Sequence, residues 1–334
     1  MTPQSRVTPV RNAGLKEIQE PVREALDRVS DEMWRIVSLG GEVFSGVSQH
    51  LMLMKGKMMR PTLLLLASEA RQQGQVRAAA YAAVLELIHL ATLVHDDAVD
   101  HSVLRRGMPT INALFTHQVS VIAGDFLYSR AVQELVRLGD MEPLRVLAAA
   151  SNELTLGEMR QLSALDALAF SEADYEFLIR AKTAALFSAA CEVGALCGAS
   201  EDREALRRYG ERLGMAFQVA DDLLDYTEDA STTGKPTGLD LREHKVTLPL
   251  IYALRQIGPA ARFAVDDLFR SPEPSDEQIA KVVEVVRDAG GLEYARRRGA
   301  EFATEAEEAV AGLPDSPVRA SLLDAVAYVM DRRS

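Results

Sequence analysis

The stretch 81–100, with the sequence YAAVLELIHLATLVHDDAVD, is the feature that most constrains the fold of this chain. On a helix it is apolar on most faces, and its charged residues other than Glu86 come at its end. A helix of this kind needs other helices around it. The stretch therefore predicts a central, buried helix that ends in a group of carboxylates.

The rest of the chain has the same character. Good helix formers dominate between about residues 15 and 330, and apolar residues recur there at steps of three and four. Glycine and proline lie mainly between these helical stretches. Alternating runs of β-branched residues are scarce, and no linker divides the chain. We predict an all-α fold with about ten or more helices. We expect it to form a single domain over residues 1–334, with about 14 flexible residues at the N-terminus.

Bulk composition excludes several classes of protein. The net charge of −12 argues against a general nucleic-acid binder, which needs a basic surface. Cys191 and Cys197 have neither zinc nor CxxC spacing, which indicates two reduced, buried thiols. No apolar run approaches the roughly 18 to 20 residues that span a membrane. The N-terminus lacks the apolar segment of a secretory signal, so we expect a cytoplasmic protein.

Two predicted apolar helices each end in the pattern D-D-x-x-D. On a helix, positions i and i+4 share a face and position i+1 is turned by about 100°. The first and last aspartate of each cluster therefore stack, and the second flanks them. The clusters are Asp96, Asp97 and Asp100, and Asp221, Asp222 and Asp225.

Carboxylates that crowd together at the end of an apolar helix need a positive partner. Magnesium provides one, because it takes one or two carboxylates and completes its shell with water and phosphate oxygens. Pairing with arginines, or simple solvation, is the alternative for a single cluster. The similar sequence DDLFR at 266–270 ends in Arg270 and is an ordinary solvated helix.

Basic residues accompany both clusters. Arg105 and Arg106 follow the first cluster, where they would either bind phosphate or pair with the aspartates. Lys57 and Arg60 precede a helix start, and His89 lies two turns before Asp96. A lone histidine on an apolar helix is more often a core residue than a ligand.

Further basic groups follow in the second half of the chain. Lys182 and Thr183 stand at the head of an apolar helix, Lys235 lies in a Gly/Pro-rich loop, and Lys245 precedes the next helix. A glycine-rich loop with lysine can wrap a phosphate. This loop does not match the P-loop pattern, which argues against a nucleotide hydrolase.

Together these motifs resemble the trans-isoprenyl (polyprenyl) diphosphate synthases, over roughly residues 40–255. Each motif is weak alone, but they occur in the order typical of the family. The matching segments are GKMMRP, LIHLATLVHDDAVDHSVLRRGMPT, GDFLYSRA, GEMRQL, KTAALF and FQVADDLLDYTEDASTTGKPTGLDLREHKVTLPLIYAL.

The resemblance implies the isoprenoid synthase fold, helices around a deep central cavity, in a homodimer. It implies that the six aspartates hold about three magnesium ions on an allylic diphosphate. It assigns Thr183 and Gln218 to the developing carbocation. It assigns two further groups of residues: Arg105, Lys182, Lys235 and Lys245 to the allylic diphosphate, and Lys57, Arg60, His89 and Arg106 to isopentenyl diphosphate.

The implied reaction joins isopentenyl diphosphate head to tail to an allylic diphosphate, through ionisation to an allylic cation. Two residues depart from the family pattern near the basic motif, Lys55 for a glycine and Met58 for an arginine. His244 stands where glycine is common. The sequence assigns it no role.

Product length depends on the residues below the first cluster. A helix rises about 1.5 Å per residue, so Thr92 and Ala91 lie roughly 6 to 8 Å down the cavity. Both are small where short-chain members often carry an aromatic residue, and DDAVD contains no insertion. Ile88 lies two turns deep as a partial floor. We predict a product longer than fifteen carbons, whose release would involve peripheral membrane contact.

Four alternatives stand beside this interpretation. A short-chain farnesyl or geranylgeranyl diphosphate synthase would carry out the same chemistry and stop at a shorter product. A terpene cyclase would carry a different second motif. A non-catalytic subunit of a heteromeric synthase would typically have lost aspartates or paired arginines, and a purely structural helical protein would not need six clustered carboxylates.

Overall fold

The computed structural model describes residues 13–38, 45–53, 56–72, 74, 76–105, 107–162, 167–227 and 238–331. Arg106 and Lys235 lie outside these ranges, as does most of the N-terminal segment expected to be flexible. The described chain is almost entirely helical, with one two-residue hairpin, so the predicted all-α class is confirmed.

The first half of the chain supplies the helices that carry the first aspartate cluster and the walls beside it. The 3-10 turn Glu20–Val22 joins the first two helices. The helices are α1 (Leu15–Gln19), α2 (Arg23–Ser38), α3 (Ser45–Leu53), α4 (Met59–Ser68), α5 (Arg77–Val99), α6 (Ile111–Leu114), α7 (His117–Leu138) and α8 (Met141–Leu162), and the antiparallel hairpin is β1 (Leu104–Arg105) with β2 (Met108–Pro109).

The second half carries the second cluster and the outer packing helices. The 3-10 turns Ala167–Ala169 and Ser200–Asp202 precede α9 and α11. The helices are α9 (Glu172–Ile179), a π turn (Arg180–Ala184), α10 (Ala185–Gly198), α11 (Arg203–Thr227), α12 (Leu239–Arg242), α13 (Leu248–Gln256), α14 (Pro259–Arg270), α15 (Asp276–Asp288), α16 (Gly291–Ala309) and α17 (Pro317–Met330).

Helix α5 is the central, buried helix that the sequence predicts. It packs against α2, α4, α7 and α10, and most of its residues from Ala78 to Ala91 are buried. Its last turn breaks this pattern, because Val99 and Asp100 are exposed. The core therefore carries the first aspartate cluster at its margin.

Helix α5 is also long and apolar enough to cross a membrane by length and composition, so the expectation that no segment has this character was wrong. Its most apolar window is 72% buried inside the protein. Its apolar length is used to pack against other helices, as in the core helix of a globular protein.

Candidate active site

A cavity of about 880 Å³ opens beside the end of α5. Its walls come from α4, α5, α7, α8, the π turn and the start of α10. Charged side chains, among them Asp96, Asp100, Lys182 and Lys245, line one part of it, while Ile88, Ala91, Leu154 and Leu186 line another. The cavity therefore combines an ionic region with an apolar one.

The three aspartates of the first cluster lie on two sides of the helix, as helical geometry predicts. Asp96 and Asp100 both line the cavity. Asp97 is turned away and buried, and the Nε of Arg105 donates to its two oxygens at 2.8 and 3.0 Å. Arg105 thus pairs with an aspartate in this structure, which is one of the two interpretations that the sequence left open, and it does not line the cavity.

The charge on Asp96 is poorly compensated. Burial raises the pKa of its carboxyl to about 6, with Glu158 and Asp100 adding to the rise and the Lys182 ammonium opposing it. The pKa of Asp97 is also raised by burial, although Arg105 counters this. A carboxylate whose ionised form is destabilised by burial gains stability when it binds a cation.

The second cluster is less open. Asp222 is buried; Tyr175 Oη donates to its Oδ2 at 2.5 Å and Gln218 Nε2 donates to its Oδ1 at 2.8 Å. Burial, reinforced by Asp240, raises its pKa well above the usual range. Asp221 is exposed, so it is the member of this cluster most accessible to a ligand.

Asp225 is engaged with the backbone. Its two oxygens accept the N–H groups of Leu239 and Asp240 at 2.9 and 3.0 Å. These N–H groups begin the short helix α12, whose N-cap, Gly238, has no side chain to satisfy them. Asp225 thus caps α12 from a neighbouring helix and fixes the segment that leads to Lys245.

Lys245 lies near Asp240 and Asp100. It lines the cavity, and its Nζ is 2.6 Å from Glu243 Oε2. Burial lowers its pKa, but the pairing with Glu243 and the charges of Asp240 and Asp100 outweigh this and raise the pKa overall. Lys245 therefore stays a cation in the cavity that Asp96 and Asp100 also line.

The basic residues of the first half separate into two groups. Arg60 and His89 line the cavity together, and Arg60 Nη1 donates to His89 Nε2 at 2.9 Å. The Arg60 guanidinium also lies over the Phe187 ring, 4.9 Å from its centroid. His89 is thus a cavity residue rather than a core residue. Lys57 is exposed and does not line the cavity.

The π turn presents Lys182 and Thr183 to the cavity. A π turn inserts one residue into a helix and is frequent at functional sites. Lys182 Nζ lies 2.5 Å from Glu158 Oε1, and Thr183 Oγ1 donates to Gln218 Oε1 at 2.6 Å. Gln218 does not line the cavity itself but contacts Thr183, which does.

The residues predicted to set product length lie along the cavity wall. Ile88, Ala91 and Thr92 all line it, below Asp96 on α5. Ile88 and Ala91 are almost fully buried, and Thr92 Oγ1 donates to the carbonyl of His89 at 2.7 Å. This bond satisfies the hydroxyl of Thr92 within its own helix, so the wall here is effectively apolar.

The site contains several polar residues that were not predicted from the sequence. Glu158 and Asp125 line the cavity, the latter with its Oδ1 3.3 Å from His95 Nε2. Asp240 lies beside Asp225, and burial raises its pKa to about 6. Tyr175 supports Asp222 from α9. Asp125, Glu158 and Asp240 belong to the segments GDFLYSRA, GEMRQL and GLDLREHK, so their motifs were available as a signal.

The carboxylates fit a divalent cation that takes only part of its shell from the protein. Among the described residues, no three His, Cys, Asp or Glu side chains converge closely enough to hold an ion by themselves. Asp96 and Asp100 nevertheless offer hard oxygen donors on one cavity wall. Magnesium commonly binds in this way, with one or two carboxylates and phosphate or water oxygens for the rest.

Comparison with known proteins agrees with this geometry. The polyprenyl synthetase profile matches residues 41–286. An all-trans-nonaprenyl-diphosphate synthase (geranyl-diphosphate specific) from Rhodobacter capsulatus is 41% identical over 290 residues, which cover 86% of this chain and 88% of that protein.

Two solved structures share the fold. A decaprenyl diphosphate synthase from Rhodobacter capsulatus superposes with a TM-score of 0.89 at 36% identity, covering 95% of this chain and 99% of that one. A polyprenyl synthase from Caulobacter crescentus, complexed with calcium and isoprenyl diphosphate, gives a TM-score of 0.90 at 33% identity, covering 98% and 100%. The chain therefore belongs to the polyprenyl synthetase family, which confirms the fold and the trans-prenyltransferase class predicted from the sequence.

Proposed function

We propose that this protein condenses isopentenyl diphosphate with an allylic diphosphate and releases an all-trans polyprenyl diphosphate longer than fifteen carbons. The observation that carries the proposal is the cavity, which joins an ionic region around Asp96, Asp100 and Lys182 to an apolar wall at Ile88 and Ala91. A substrate with a charged head and an apolar tail matches both regions. The relatives named for nonaprenyl and decaprenyl products support the length class.

Magnesium is the proposed cofactor, with about three ions per site. Asp96, Asp100 and Asp221 are the aspartates accessible to it, and Asp97, Asp222 and Asp225 hold the surrounding structure through the hydrogen bonds described above. The Caulobacter relative, whose structure contains calcium and isoprenyl diphosphate, supports a divalent metal. When bound, the ions would neutralise charge on the departing diphosphate.

The protein's own groups would complete the site. Lys182 and Lys245 would hold the allylic diphosphate, with Lys235 from outside the described residues and with Arg105 after it leaves Asp97. Arg60 and His89 would hold isopentenyl diphosphate, with Arg106 from outside the described residues and with Lys57 after a movement into the cavity. Cationic donors fixed where negative charge grows on the leaving oxygens favour the breaking of the allylic C–O bond.

The remaining steps depend on how the two substrates are positioned relative to each other. The double bond of isopentenyl diphosphate attacks the allylic cation, and the released diphosphate takes the proton that the new cation loses. The Thr183 oxygen, which lines the cavity, would face the developing positive charge, and Gln218 would hold it there by accepting its hydrogen. The apolar wall excludes water, so the cation meets the alkene before it meets a hydroxyl.

Product analysis tests the reaction and the length together. The purified protein is incubated with magnesium, radiolabelled isopentenyl diphosphate, and geranyl, farnesyl or geranylgeranyl diphosphate, and the products are separated by thin-layer chromatography. We expect a ladder that ends beyond twenty carbons and disappears with EDTA. Products that stop at fifteen or twenty carbons would favour the short-chain alternative. No product with any primer would contradict the proposal for the isolated chain and favour a heteromeric enzyme.

A homodimer is the proposed assembly. Val121, Ile122, Tyr128 and Val136 leave an exposed, largely apolar stripe along α7, and Leu156 and Met159 are exposed on α8 next to it. The family resemblance implies a homodimer, and a second copy would cover this stripe. Light scattering after size exclusion tests it. Ile122→Glu should give monomers, whereas Phe263→Glu, at an exposed apolar residue on α14, should leave the mass unchanged.

We place the protein in the cytoplasm as a single polyprenyl synthase domain, with peripheral membrane contact during release of the apolar product. Cell fractionation checks the location: a tagged chain that stays in the membrane pellet after a high-salt wash would contradict it.

A further inference from the structure

Helix α8 and the π turn come unusually close at Gly157. A Cβ atom placed on this glycine would lie 2.8 Å from the Cβ of Ala181 and 3.6 Å from the backbone nitrogen of Lys182. Only glycine allows this approach. The next residue on α8, Glu158, is thereby brought directly beside the side chain of Lys182.

The contact that results is an ion pair inside the cavity. Glu158 Oε1 lies 2.5 Å from Lys182 Nζ, and the two side chains are 32% and 36% exposed. Both residues line the cavity with Asp96. A pair this accessible to solvent adds little to the stability of a fold, so its effect on ligands is the more informative property.

We propose that Glu158 is a positioning residue that competes with the substrate diphosphate for Lys182 and so speeds diphosphate release. The inference rests on the proposed function, because it takes the partner of Lys182 to be a diphosphate. Before binding, Glu158 holds the ammonium of Lys182 in the cavity. When the diphosphate arrives it displaces Glu158, and after reaction Glu158 takes Lys182 back.

The Glu158 carboxylate and a bound diphosphate carry charges of the same sign. A diphosphate within hydrogen-bond distance of Lys182 Nζ also lies within a few ångströms of the Glu158 carboxylate, which repels it. The repulsion reduces the net attraction that Lys182 provides. A site that combines several aspartate-held cations with lysines and arginines binds a diphosphate strongly, and an opposing charge keeps it from being retained after the reaction.

Glu158→Gln separates this role from a structural one, since it keeps the shape and removes the charge. Calorimetric titration with inorganic pyrophosphate at fixed magnesium should give about fivefold tighter binding. KM for the allylic diphosphate and kcat should both fall by about fivefold, because release becomes slower. Glu158→Asp, which restores the charge on a shorter side chain, should lie between the wild type and Glu158→Gln.

Two comparisons make the test specific. Glu153→Gln removes one charge from an exposed position of the same helix that does not line the cavity, and it should leave pyrophosphate binding unchanged. In a Lys182→Met background, Glu158→Gln should lose most of its effect, because the residue it frees is gone. Thermal melting of each variant establishes that it is folded.

The inference is overturned if folded Glu158→Gln binds pyrophosphate with equal or lower affinity, or if the gain is as large without Lys182. Failure of the proposed function has a different signature. A wild-type protein that makes no prenyl product contradicts the function. A wild type that turns over normally, beside an unchanged Glu158→Gln, contradicts the role of Glu158 alone.

Discussion

Asp225 Oδ2 accepts the backbone N–H of Asp240 at 3.0 Å, which joins the second aspartate cluster to the segment that carries Lys245. The other oxygen accepts the N–H of Leu239 at 2.9 Å. A cluster member that looks like a metal ligand in the sequence is thus used to cap α12. The stability of the Lys245 segment depends on it.

Asp225→Asn should therefore act on structure first. Asparagine keeps only one acceptor oxygen, so one backbone N–H loses its partner and the free energy of unfolding should fall by about 1–2 kcal/mol. Asp221→Asn, at an exposed aspartate, should cost less stability than Asp225→Asn and should raise the magnesium concentration needed for activity. Urea denaturation and magnesium titration of the two variants check this. Equal effects on stability would contradict the division between them.

Asp96→Asn should stabilise the metal-free protein at neutral pH. Burial raises the pKa of Asp96 from 3.8 to about 6, so the folded state holds the proton more tightly than the unfolded chain does. Ionisation then costs stability as pH rises from about 4 to 6, and the cost persists above 6. After allowance for partial exposure, we expect a gain of about 1–2 kcal/mol at pH 7.5 that disappears near pH 4.

The measurement is chemical unfolding in EDTA at several pH values. The same variant should lose most of its activity when magnesium is present, because a proposed metal ligand is gone. A destabilised Asp96→Asn at pH 7.5 would show that the carboxylate is already compensated within the protein.

Two substitutions on α5 should move product length in opposite directions. Ala91→Phe places an aromatic ring in the cavity wall below Asp96 and should shorten the product, because the growing chain meets the ring. Ile88→Ala widens the cavity deeper down and should lengthen it, at a stability cost of about 2–4 kcal/mol since Ile88 is buried. Chromatography of the dephosphorylated products measures both. An unchanged distribution in Ala91→Phe would refute a tail path along this wall.

Tyr175→Phe tests the hydrogen-bond chain behind Thr183. Loss of the hydroxyl leaves the buried Asp222 with one fewer donor, which should cost about 1–3 kcal/mol and loosen Gln218. We expect kcat to fall about tenfold, in line with a displaced polar group at the site. Tyr209→Phe is the matched control, because Tyr209 Oη donates to the carbonyl of Leu322 in the core. It should lower stability with kcat unchanged.

The backbone conformation of His244 explains why glycine is common at this position. Its φ of 55° lies in the left-handed region, which accounts for the glycine common at this position. Its Nε2 lies 2.9 Å from the carbonyl of Ser271, and its ring packs edge-on against Phe269. The imidazole thus ties the turn before Lys245 to the end of α14.

His244→Ala should lose this tie and keep the backbone strain, which lowers stability by about 1–2 kcal/mol. His244→Gly also loses the tie but relieves the strain, so it should be closer to wild type. Thermal melting ranks the two variants. If alanine were the more stable replacement, strain at this residue would not matter.

The sequence predicted what depends on periodicity and missed what depends on tertiary contact. The central helix, the stacking of Asp96 with Asp100, and the presence of Arg60 and His89 at the site follow from helical spacing and motif order. The sequence left the pairing of Arg105 with the aspartates open, because the choice of Asp97 as its partner depends on the hairpin that follows α5. Glu158 was missed because its importance comes from the neighbouring π turn, and the helical period gives no sign of it.

The π turn Arg180–Ala184 also makes the site sensitive to the deletion of a single residue. One additional residue there shifts the helix that follows by about 100° relative to the helix that precedes it. Deleting a single codon within this turn would leave charge and composition nearly intact, yet it would rotate α9 away from its present register with α10. The orientation of Lys182 and Thr183 is therefore encoded in chain length as much as in residue identity, and a mutational scan made only of substitutions would not detect it.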